Sequence, residues 1–424
     1  MAILFRNGSI LTENGIRRAD LLSRDGKVFV FEKDASPAAD RVIDCTDKLI
    51  TPGFADVHVH FREPGFSYKE TIRTGSLAAA HGGYTCVCTM PNLNPPPSTL
   101  ENLRVQQDLI DRDACIHVVP YGSITQKQDG RSALSDMEAL APYVCAFTDD
   151  GKGVQTGALM EEAMRKARSL GKLIVAHAED ESLLGGTAIH DGRYAASIGH
   201  RGISSASEWR QVERDVELAA KTGCGYHVCH VSTKESVEII RQGKKSGVDV
   251  TCETGPHYLV LCEDDLREDG RFKMNPPLRG ADDRDALLEG LLDGTVDMIA
   301  TDHAPHSAEE KARGLLNSAF GIVGLECAFP VLYTELVLKK SLLTLPQLIE
   351  KLTAAPKTRF GLPGGTLADG QPADLTLIDL NAEYRVDPST FLSMGRATPF
   401  EGREVAGRID MTLCNGQIAW ERTE

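Results

Sequence analysis

The chain has fewer basic than acidic residues, no long apolar run and no cysteine spacing typical of metal fingers. Lys and Arg number 46 against 61 Asp and Glu, giving a net charge of -15, which argues against a nucleic-acid partner. The chain does not open with a basic segment and an apolar run, so we expect no signal peptide. The least charged stretch, 318–334, is interrupted by Glu326 and Pro330, so we expect no membrane span.

The chain contains eleven cysteines. Cys86, Cys88, Cys145 and Cys229 lie inside apolar, strand-like runs and are not spaced as zinc-finger ligands are. We therefore expect buried thiols in a reducing compartment, which predicts a cytoplasmic protein. With 42% hydrophobic residues among 424, the chain can form one large domain and a smaller one.

Short β-like runs separated by Asn-Gly and Asp-Gly turns occupy both ends of the chain. They are Ile3–Phe5, Lys27–Phe31, Lys48–Ile50, Ala373–Asp379, Met411–Cys414 and Gln417–Trp420. Neither end could bury much apolar surface alone, so we expect the two to pair in one small β-sandwich. We assign residues 1–51 and 361–424 to this domain.

Residues 52–360 alternate short apolar runs with amphipathic helical stretches, which predicts an α/β fold. The predicted strands are Phe54–His60, Tyr84–Thr89, Ile116–Tyr121, Tyr143–Thr148, Leu173–His177, Tyr226–Val231, Val248–Glu253 and Asp297–Thr301, and predicted helices include Gly157–Ser169, Ala206–Lys221, Thr233–Gln242 and Arg284–Leu292. Eight such units predict a (β/α)8 TIM barrel. The alternative is an open doubly wound sheet, which requires a Gly-rich phosphate loop after the first strand. His60-Phe-Arg-Glu-Pro64 occupies that position.

His58 and His60 are two residues apart in the first predicted barrel strand. Because side chains alternate between the faces of a strand, both imidazoles point to the same side. There they could bind a divalent metal such as zinc. A strand that carries two histidines by chance is the alternative, and the pair alone does not decide between the two.

Further metal-competent residues follow other predicted strands, which favours the metal. They are Asp149 or Asp150 after strand four, His177 after strand five, His230 after strand six and Asp302 after strand eight. The carboxyl ends of barrel strands form one rim, where active sites lie. Four imidazoles and two carboxylates are too many for one tetrahedral zinc, and they suit two ions that share a bridging carboxylate.

A series of motifs resembles the bacterial class I dihydroorotases of the amidohydrolase superfamily, nearly end to end and in the same order. The motifs are His58-Val-His60-Phe-Arg-Glu-Pro, Thr89-Met-Pro-Asn92, Phe147-Thr-Asp-Asp-Gly151, Ala176-His177-Ala-Glu-Asp, His230-Val-Ser, Glu253-Thr-Gly-Pro-His, Asn275-Pro-Pro-Leu-Arg, Thr301-Asp-His-Ala-Pro-His306 and Phe320-Gly-Ile-Val-Gly-Leu-Glu326. The resemblance implies reversible closure of N-carbamoyl-L-aspartate to L-dihydroorotate, a step of de novo pyrimidine (UMP) synthesis.

The resemblance also implies a role for each motif residue. Two zinc ions per chain are implied, with His58 and His60 on the first, His177 and His230 on the second, Asp150 bridging them, and Asp302 both binding the first zinc and transferring protons. The substrate set comprises His60 beside the metals, Arg62, Asn92 and His306 at the carboxylate, Asn275 at the ring, and the Phe320-Gly321 backbone at the ureide. We expect Asp149 to be structural, because it shares a strand face with Phe147. Among the remaining histidines, His257 and His303 are the best candidates for supporting the metal ligands.

Three alternatives are open at this stage. A hydantoinase or allantoinase is also a barrel amidohydrolase, but it generally carries a bridging lysine, and strand four here offers only Lys152 beyond Gly151. Some dihydroorotase-like chains have lost their metal ligands and act as scaffolds for aspartate transcarbamoylase, whereas every ligand position is filled here. A sugar-binding or structural barrel would leave the rim histidines unexplained. The partners expected are a small anionic substrate, a second copy in a homodimer and possibly an aspartate transcarbamoylase.

Overall fold

Strands occur throughout the chain in the computed structural model, which describes residues 1–32, 37–364 and 366–423. In chain order they are β1 Ile3–Arg6, β2 Ser9–Thr12, β3 Gly15–Arg18, β4 Asp20–Arg24, β5 Lys27–Phe31, β6 Arg41–Asp44, β7 Leu49–Pro52, β8 Phe54–Val59, β9 Tyr84–Thr89, β10 His117–Pro120, β11 Gly122–Ser123, β12 Phe147–Thr148, β13 Ile174–Ala176, β14 Tyr226–Val228, β15 Val250–Thr254, β16 Met298–Ile299, β17 Leu375–Arg385, β18 Glu404–Cys414 and β19 Gln417–Glu421.

The helices lie between the barrel strands and after them. They are α1 Ile72–His81, α2 Leu100–Asp113, α3 Met137–Leu140, α4 Gly157–Ser169, α5 Arg193–Ser197, α6 Ala206–Thr222, α7 Lys234–Lys245, α8 Pro256–Val260, α9 Ala281–Asp293, α10 Ala308–Lys311, α11 Gly314–Asn317, α12 Ala328–Leu332, α13 Leu345–Leu352 and α14 Ala354–Phe360, with a π-helix at Tyr333–Lys339. No described helix combines the length and the apolar character needed to span a bilayer.

Parallel strands close into a barrel in the middle of the chain. β8, β9 and β10 pair in parallel, as do β12 to β16 in sequence order. The third strand continues through Tyr121 into β11, which pairs with β12. His60 N–H donates to the His303 carbonyl at 2.9 Å, which closes the barrel between its first and last strands. The predicted (β/α)8 architecture is confirmed.

Two sheets built from both chain ends form the β-sandwich beside the barrel. One has the order β5-β4-β1-β6 and the other β19-β18-β17-β7-β2-β3. In the second sheet β17 lies antiparallel to β7, so the C-terminal segment pairs directly with the N-terminal one. Apolar side chains from both sheets share one core, among them Ile3, Phe5, Leu21, Ile50, Leu375, Leu377, Met411 and Leu413. Only Gly53 separates β7 from the first barrel strand.

Helix α4 shows why the connecting segments fold as predicted. Its N-cap, Thr156, accepts a hydrogen bond from the Leu159 N–H, which satisfies a donor that the first helical turn leaves unpaired. Its buried residues are Met160, Ala163, Met164 and Ala167. They recur at the three- and four-residue spacing of one helix face, and that face packs against the barrel.

Several predicted barrel strands end earlier than their apolar runs indicate. β14 stops at Val228 and β16 at Ile299. The residues beyond them include His230 and Asp302, whose φ angles of +31° and +48° are incompatible with a strand. The backbone therefore leaves the sheet just where it presents these side chains to the rim.

Candidate metal centre and active site

Six side chains meet at the carboxyl rim of the barrel. His58 lies on β8 and His60 directly after it, while the others follow β12, β13, β14 and β16. All six are buried, although they carry imidazole or carboxylate groups. The six are His58, His60, Asp150, His177, His230 and Asp302. The structure thus brings together every residue that the sequence predicts as a metal ligand.

His58, His60 and Asp302 form the first group that can bind a metal. Asp302 Oδ1 lies 3.4 Å from His58 Nε2 and 3.1 Å from His60 Nε2. The alternation of side chains along β8 explains why the two imidazoles converge. Three ligand atoms therefore face one point.

His177 and His230 form a second group with Asp150. His177 Nδ1 and His230 Nε2 are 2.8 Å apart, and Asp150 Oδ1 lies 3.7 Å from each of these atoms. Asp150 also lies 3.4 Å from His58 Nε2 through Oδ1 and 3.5 Å from His60 Nε2 through Oδ2. Its carboxylate stands between the two histidine pairs, in the position that a bridging ligand requires.

Unpartnered polar atoms show that this cluster fits a cation. His58 Nε2 and Asp150 Oδ1 are buried and have no hydrogen-bond partner within the described structure. Leaving such atoms unpaired costs about 1–3 kcal/mol each, and a divalent ion would satisfy both. The donor set of imidazole nitrogens and carboxylate oxygens is also the set that zinc prefers.

The carboxylates of the cluster have depressed pKa values. Burial alone would raise the pKa of Asp150, but His58 and His230 hold it well below its ordinary value. Burial likewise opposes the shift at Asp302, whose pKa is lowered by His58 and His60. Both groups are therefore ionised at neutral pH, which is the form that binds a cation or accepts a proton.

Asp149 lies behind the cluster and has a different role from Asp150. Its carboxylate accepts hydrogen bonds from the N–H groups of Ile124, Thr125 and Gly130 at 2.8 to 3.2 Å. The Thr125 hydroxyl donates to it as well. These bonds hold Asp149, and with it the neighbouring Asp150, against the loop of residues 124–130.

Glu253 supports the first metal group, and sequence reasoning assigned it no role. Its Oε1 lies 2.7 Å from His58 Nδ1 and its Oε2 lies 3.2 Å from His227 Nε2. Burial would raise the pKa of Glu253, but the hydrogen bonds with His227 and His58 lower it to about 2. A carboxylate on the second ring nitrogen is the usual support for a metal-binding histidine. The available signal was an acidic residue inside a buried strand.

A cavity of about 200 Å³ opens beside the metal-competent cluster. It is lined by His60, Arg62, Asn92, Asp150, Gly151, His177, His230, Asn275, Asp302, Ala304, His306, Phe320 and Gly321. All seven residues predicted to contact substrate are among them. A larger cavity of about 540 Å³ lies elsewhere, around His81, Tyr384 and Trp420. The cluster chemistry assigns the site to the smaller one.

Arg62 provides positive charge at this cavity. Its Nε donates to the Pro305 carbonyl at 3.3 Å, and its guanidinium lies 3.4 Å from the His306 ring. Within the described part of the chain it forms no ion pair, so its charge is available to an anionic ligand. Burial, then Arg62 and Lys69, lower the pKa of His306 to about 3. His306 is therefore neutral, and its Nε2 lies 2.7 Å from the Phe320 carbonyl.

Asn92 and Asn275 each offer an amide oxygen to the cavity. Asn92 Nδ2 donates to the Asp150 carbonyl at 2.6 Å, and Asn275 Nδ2 donates to Glu179 at 3.0 Å. Both Oδ1 atoms are buried without a partner in the described structure. Each amide nitrogen carries a second N–H, so Asn92 can offer both an acceptor and a donor to the cavity.

Gly321 occupies a position that only glycine fits. Its φ is +132°, and an added Cβ would lie 2.6 Å from the Ala304 carbonyl oxygen. Close approach of this kind brings the backbone to the edge of the cavity. The Phe320-Gly321 segment therefore lines the site with main-chain groups.

His257 and His303, the histidines predicted to support the ligands, do so unequally. The His303 carbonyl accepts the His60 N–H, so His303 positions a ligand through its backbone. His257 is buried and its Nε2 has no partner among the described residues. It does not contact the six ligands by any hydrogen bond in the described structure.

Comparisons with known proteins relate the whole chain to one family. A family model described as dihydro-orotase-like matches residues 47–236. The "Dihydroorotase" of Bacillus cytotoxicus is 51% identical over 425 residues, covering 100% of this chain and 99% of that protein. The "Dihydroorotase" of Bacillus cereus strain AH820 is 50% identical with the same coverage.

Solved structures with the same architecture are more distant in sequence. The L-hydantoinase (dihydropyrimidinase) of Arthrobacter aurescens has a TM-score of 0.87 and 28% identity, covering 100% of this chain and 96% of that one. A D-hydantoinase (dihydropyrimidinase) from Thermus sp. has a TM-score of 0.84 and 23% identity, covering 100% and 97%. The second of these likenesses concerns the fold alone.

Proposed function

This chain belongs to the dihydroorotase family, and on that premise we propose that it interconverts N-carbamoyl-L-aspartate and L-dihydroorotate in de novo pyrimidine synthesis. One observation carries the proposal: the two metal-competent groups and the Arg62 guanidinium, which forms no ion pair in the described structure, face the same cavity of about 200 Å³. A cyclic amide needs activated water at its carbonyl, and a ring carboxylate needs a cation. Both requirements are met within one cavity.

The cofactor that we propose is zinc, two ions per chain. Asp150 lies within 3.7 Å of ring nitrogens from both histidine pairs, and it would bridge the two ions. When bound at these ligands, the metal supplies the acidity that makes water a nucleophile at neutral pH and polarises the scissile carbonyl. Glu253 would hold the His58 ring so that Nε2 faces the metal.

Asp302 is the group that we assign to proton transfer. In the hydrolytic direction, water adds to the ring amide carbonyl and the bond from that carbon to the ring nitrogen breaks. Asp302 takes the proton from water and delivers it to the leaving nitrogen. Ring closure uses the same groups in reverse, and it consumes one proton because a carboxylate becomes an amide.

The remaining cavity residues would bind and orient the substrate. Arg62 would bind the carboxylate through a charge-assisted pair, with His306 beside it. The free oxygens of Asn92 and Asn275 suit N–H groups of the ring. The Phe320 and Gly321 carbonyls already accept one hydrogen bond each, and each retains a second lone pair for the ureide.

The proposal also covers the cellular location and the assembly of the protein. All eleven cysteines are free, which supports a reducing compartment such as the cytoplasm. A homodimer and an association with aspartate transcarbamoylase rest on the family resemblance alone. Size-exclusion chromatography with light scattering, with and without an added transcarbamoylase, would test both.

The direct test is a substrate comparison. Purified protein loaded with zinc would be incubated separately with L-dihydroorotate, hydantoin and allantoin, and ring opening would be followed. We expect turnover of L-dihydroorotate alone. A hydantoinase, which the likeness to the Arthrobacter aurescens structure makes the second candidate, would open hydantoin faster than dihydroorotate, and that result would overturn the proposal.

A further inference from the structure

The ammonium group of Lys311 is buried behind the cavity and is surrounded by main-chain carbonyls. Its Nζ lies 3.0 Å from the Lys273 carbonyl, 2.8 Å from that of Ala319 and 2.6 Å from that of Gly321. The residue is 8% exposed. Three N–H donors thus meet three acceptors, which is the full capacity of an ammonium group.

The three carbonyls belong to two different loops of the rim. Lys273 lies two residues before Asn275, in the segment that follows β15. Ala319 and Gly321 flank Phe320, in the segment that follows β16. The same two loops are also joined by a hydrogen bond from the Gly321 N–H to the Lys273 carbonyl at 3.1 Å.

Lys273 adds a second contact between these loops. Its Nζ donates to the Leu316 carbonyl at 2.6 Å and lies 4.6 Å from the centre of the Phe320 ring. Leu316 lies in α11, outside the cavity lining. Lys311 is therefore the cation that binds the carbonyls on both sides of Phe320.

We propose that Lys311 is a positioning residue for substrate, because it holds Asn275 and the Phe320-Gly321 backbone at the spacing that the ring requires. This inference rests on the proposed function, and it adds a residue that does not line the cavity. In the described structure Lys311 Nζ bonds only these main-chain carbonyls and none of the six metal-competent side chains. Its removal should therefore weaken substrate binding and leave the metal cluster intact, since a loop fixed before binding loses less entropy when ligand arrives.

The charge of Lys311 should also respond to pH. Burial, and then repulsion from Lys273, lower the pKa of Lys311 to about 7, against the attraction of Asp269 and Glu310. Below this pH the ammonium can serve all three carbonyls, while above it the neutral amine has only two N–H donors. KM should therefore rise as pH increases through the neutral range.

The test compares Lys311→Met with the matched variant Lys357→Met. Lys357 is also buried, but its Nζ donates to the Gly53 carbonyl at 2.8 Å, at the opposite end of the barrel. We expect Lys311→Met to raise KM for L-dihydroorotate about 10- to 100-fold and to leave zinc content and kcat nearly unchanged. Lys357→Met should lower the melting temperature and leave KM unchanged. Measurements would be made well below both melting temperatures.

Three outcomes are decisive. An unchanged KM in a folded Lys311→Met variant would overturn the inference, and so would equal KM increases in the two variants. Absence of turnover by the wild-type protein would instead overturn the proposed function. If Lys311→Met does not fold, Lys311→Gln takes its place, because its amide retains two N–H donors and should give a smaller KM increase. The pH-dependent rise of KM should disappear in either variant.

Discussion

The two ends of the barrel carry similar residues in different states. At the rim, His58 and Asp150 are buried with ligand atoms that have no hydrogen-bond partner in the described structure. At the floor, His117, Asp374 and Cys414 also form a group whose ligand atoms lie close together. There, however, His117 Nε2 bonds Asp374 Oδ2 at 3.1 Å, and in the described structure none of the three has a buried side-chain nitrogen or oxygen without a hydrogen-bond partner. Residue type alone would make both ends metal sites.

Hydrogen-bond partners explain the difference. Asp374 Oδ1 accepts the Asn415 N–H at 2.6 Å, and the Asp374 carbonyl accepts the Gly53 N–H at 2.9 Å. The floor cluster thus joins β18 and β19 of the sandwich to the entry of β8. The Asp374 carboxylate is hydrogen-bonded on both oxygens by the protein, so we expect it to stabilise the domain junction, whereas the rim cluster keeps two buried atoms that a bound cation would satisfy.

We expect the largest effect on activity from a change of Asp302 at the rim. Asp302→Asn should retain the fold and most of the zinc, because four histidines and Asp150 remain. Turnover should fall by about 10² to 10⁴, because an amide cannot accept the proton. Zinc content and kcat in both directions would be measured on the same sample at saturating zinc. A variant with two bound zinc ions and near-wild-type kcat would remove Asp302 from proton transfer.

Arg62 tests whether the rim recognises an anion. Arg62→Met should raise KM for L-dihydroorotate, because it removes about 2–4 kcal/mol of binding free energy. Arg62→Lys should remain impaired, because a point charge does not replace a planar fork. Steady-state kinetics would separate KM from kcat. An unchanged KM in Arg62→Met would mean that the carboxylate binds elsewhere.

Glu253 tests the support of the metal group. Glu253→Gln should weaken metal affinity about 10- to 100-fold, because the amide cannot accept hydrogen bonds from His58 and His227 at both of its atoms. Activity at saturating zinc should largely recover. Competition with a chelator would measure the affinity. The matched control is Glu326→Gln, which removes a buried carboxylate bonded to His81 and should leave zinc affinity unchanged.

A substitution of Asp374 tests whether the floor cluster stabilises the fold. Asp374→Asn should lower the free energy of unfolding by about 1–3 kcal/mol, with kcat, KM and zinc content unchanged. Denaturant unfolding at neutral pH would measure the loss. The control is Glu404→Gln, at an exposed pair with Arg385, where we expect no measurable change in melting temperature. Loss of zinc from Asp374→Asn would contradict the structural role of the floor.

The contribution of Asp374 should also depend on pH. Burial would raise its pKa, but His117, the Asn415 N–H and Lys357 lower it below the ordinary value. The folded state therefore binds this proton less readily than the unfolded state, whose Asp pKa is about 3.9. The stabilisation is present above that pH and is lost as pH falls through the lower folded-state pKa. The stability difference between wild type and Asp374→Asn should shrink in acid.

Much of the fold and of the rim could be predicted from the chain. The alternation of apolar runs with helical periodicity predicted eight barrel units, and helix α4 begins and ends where predicted. The two-residue spacing of His58 and His60 predicted that both imidazoles share a face. These features depend on neighbours in sequence, because periodicity records which side of an element is buried.

Tertiary structure decided which partners the same residue types have. Glu253 contacts His58 across 195 residues, and Lys311 joins loops that follow two different strands. Their roles follow from the closing of the barrel, and no local spacing encodes them. The same holds for the two ends of the barrel. Both the rim and the floor place a histidine beside an aspartate. Only the packing around each pair determines whether its polar atoms are already hydrogen-bonded within the protein.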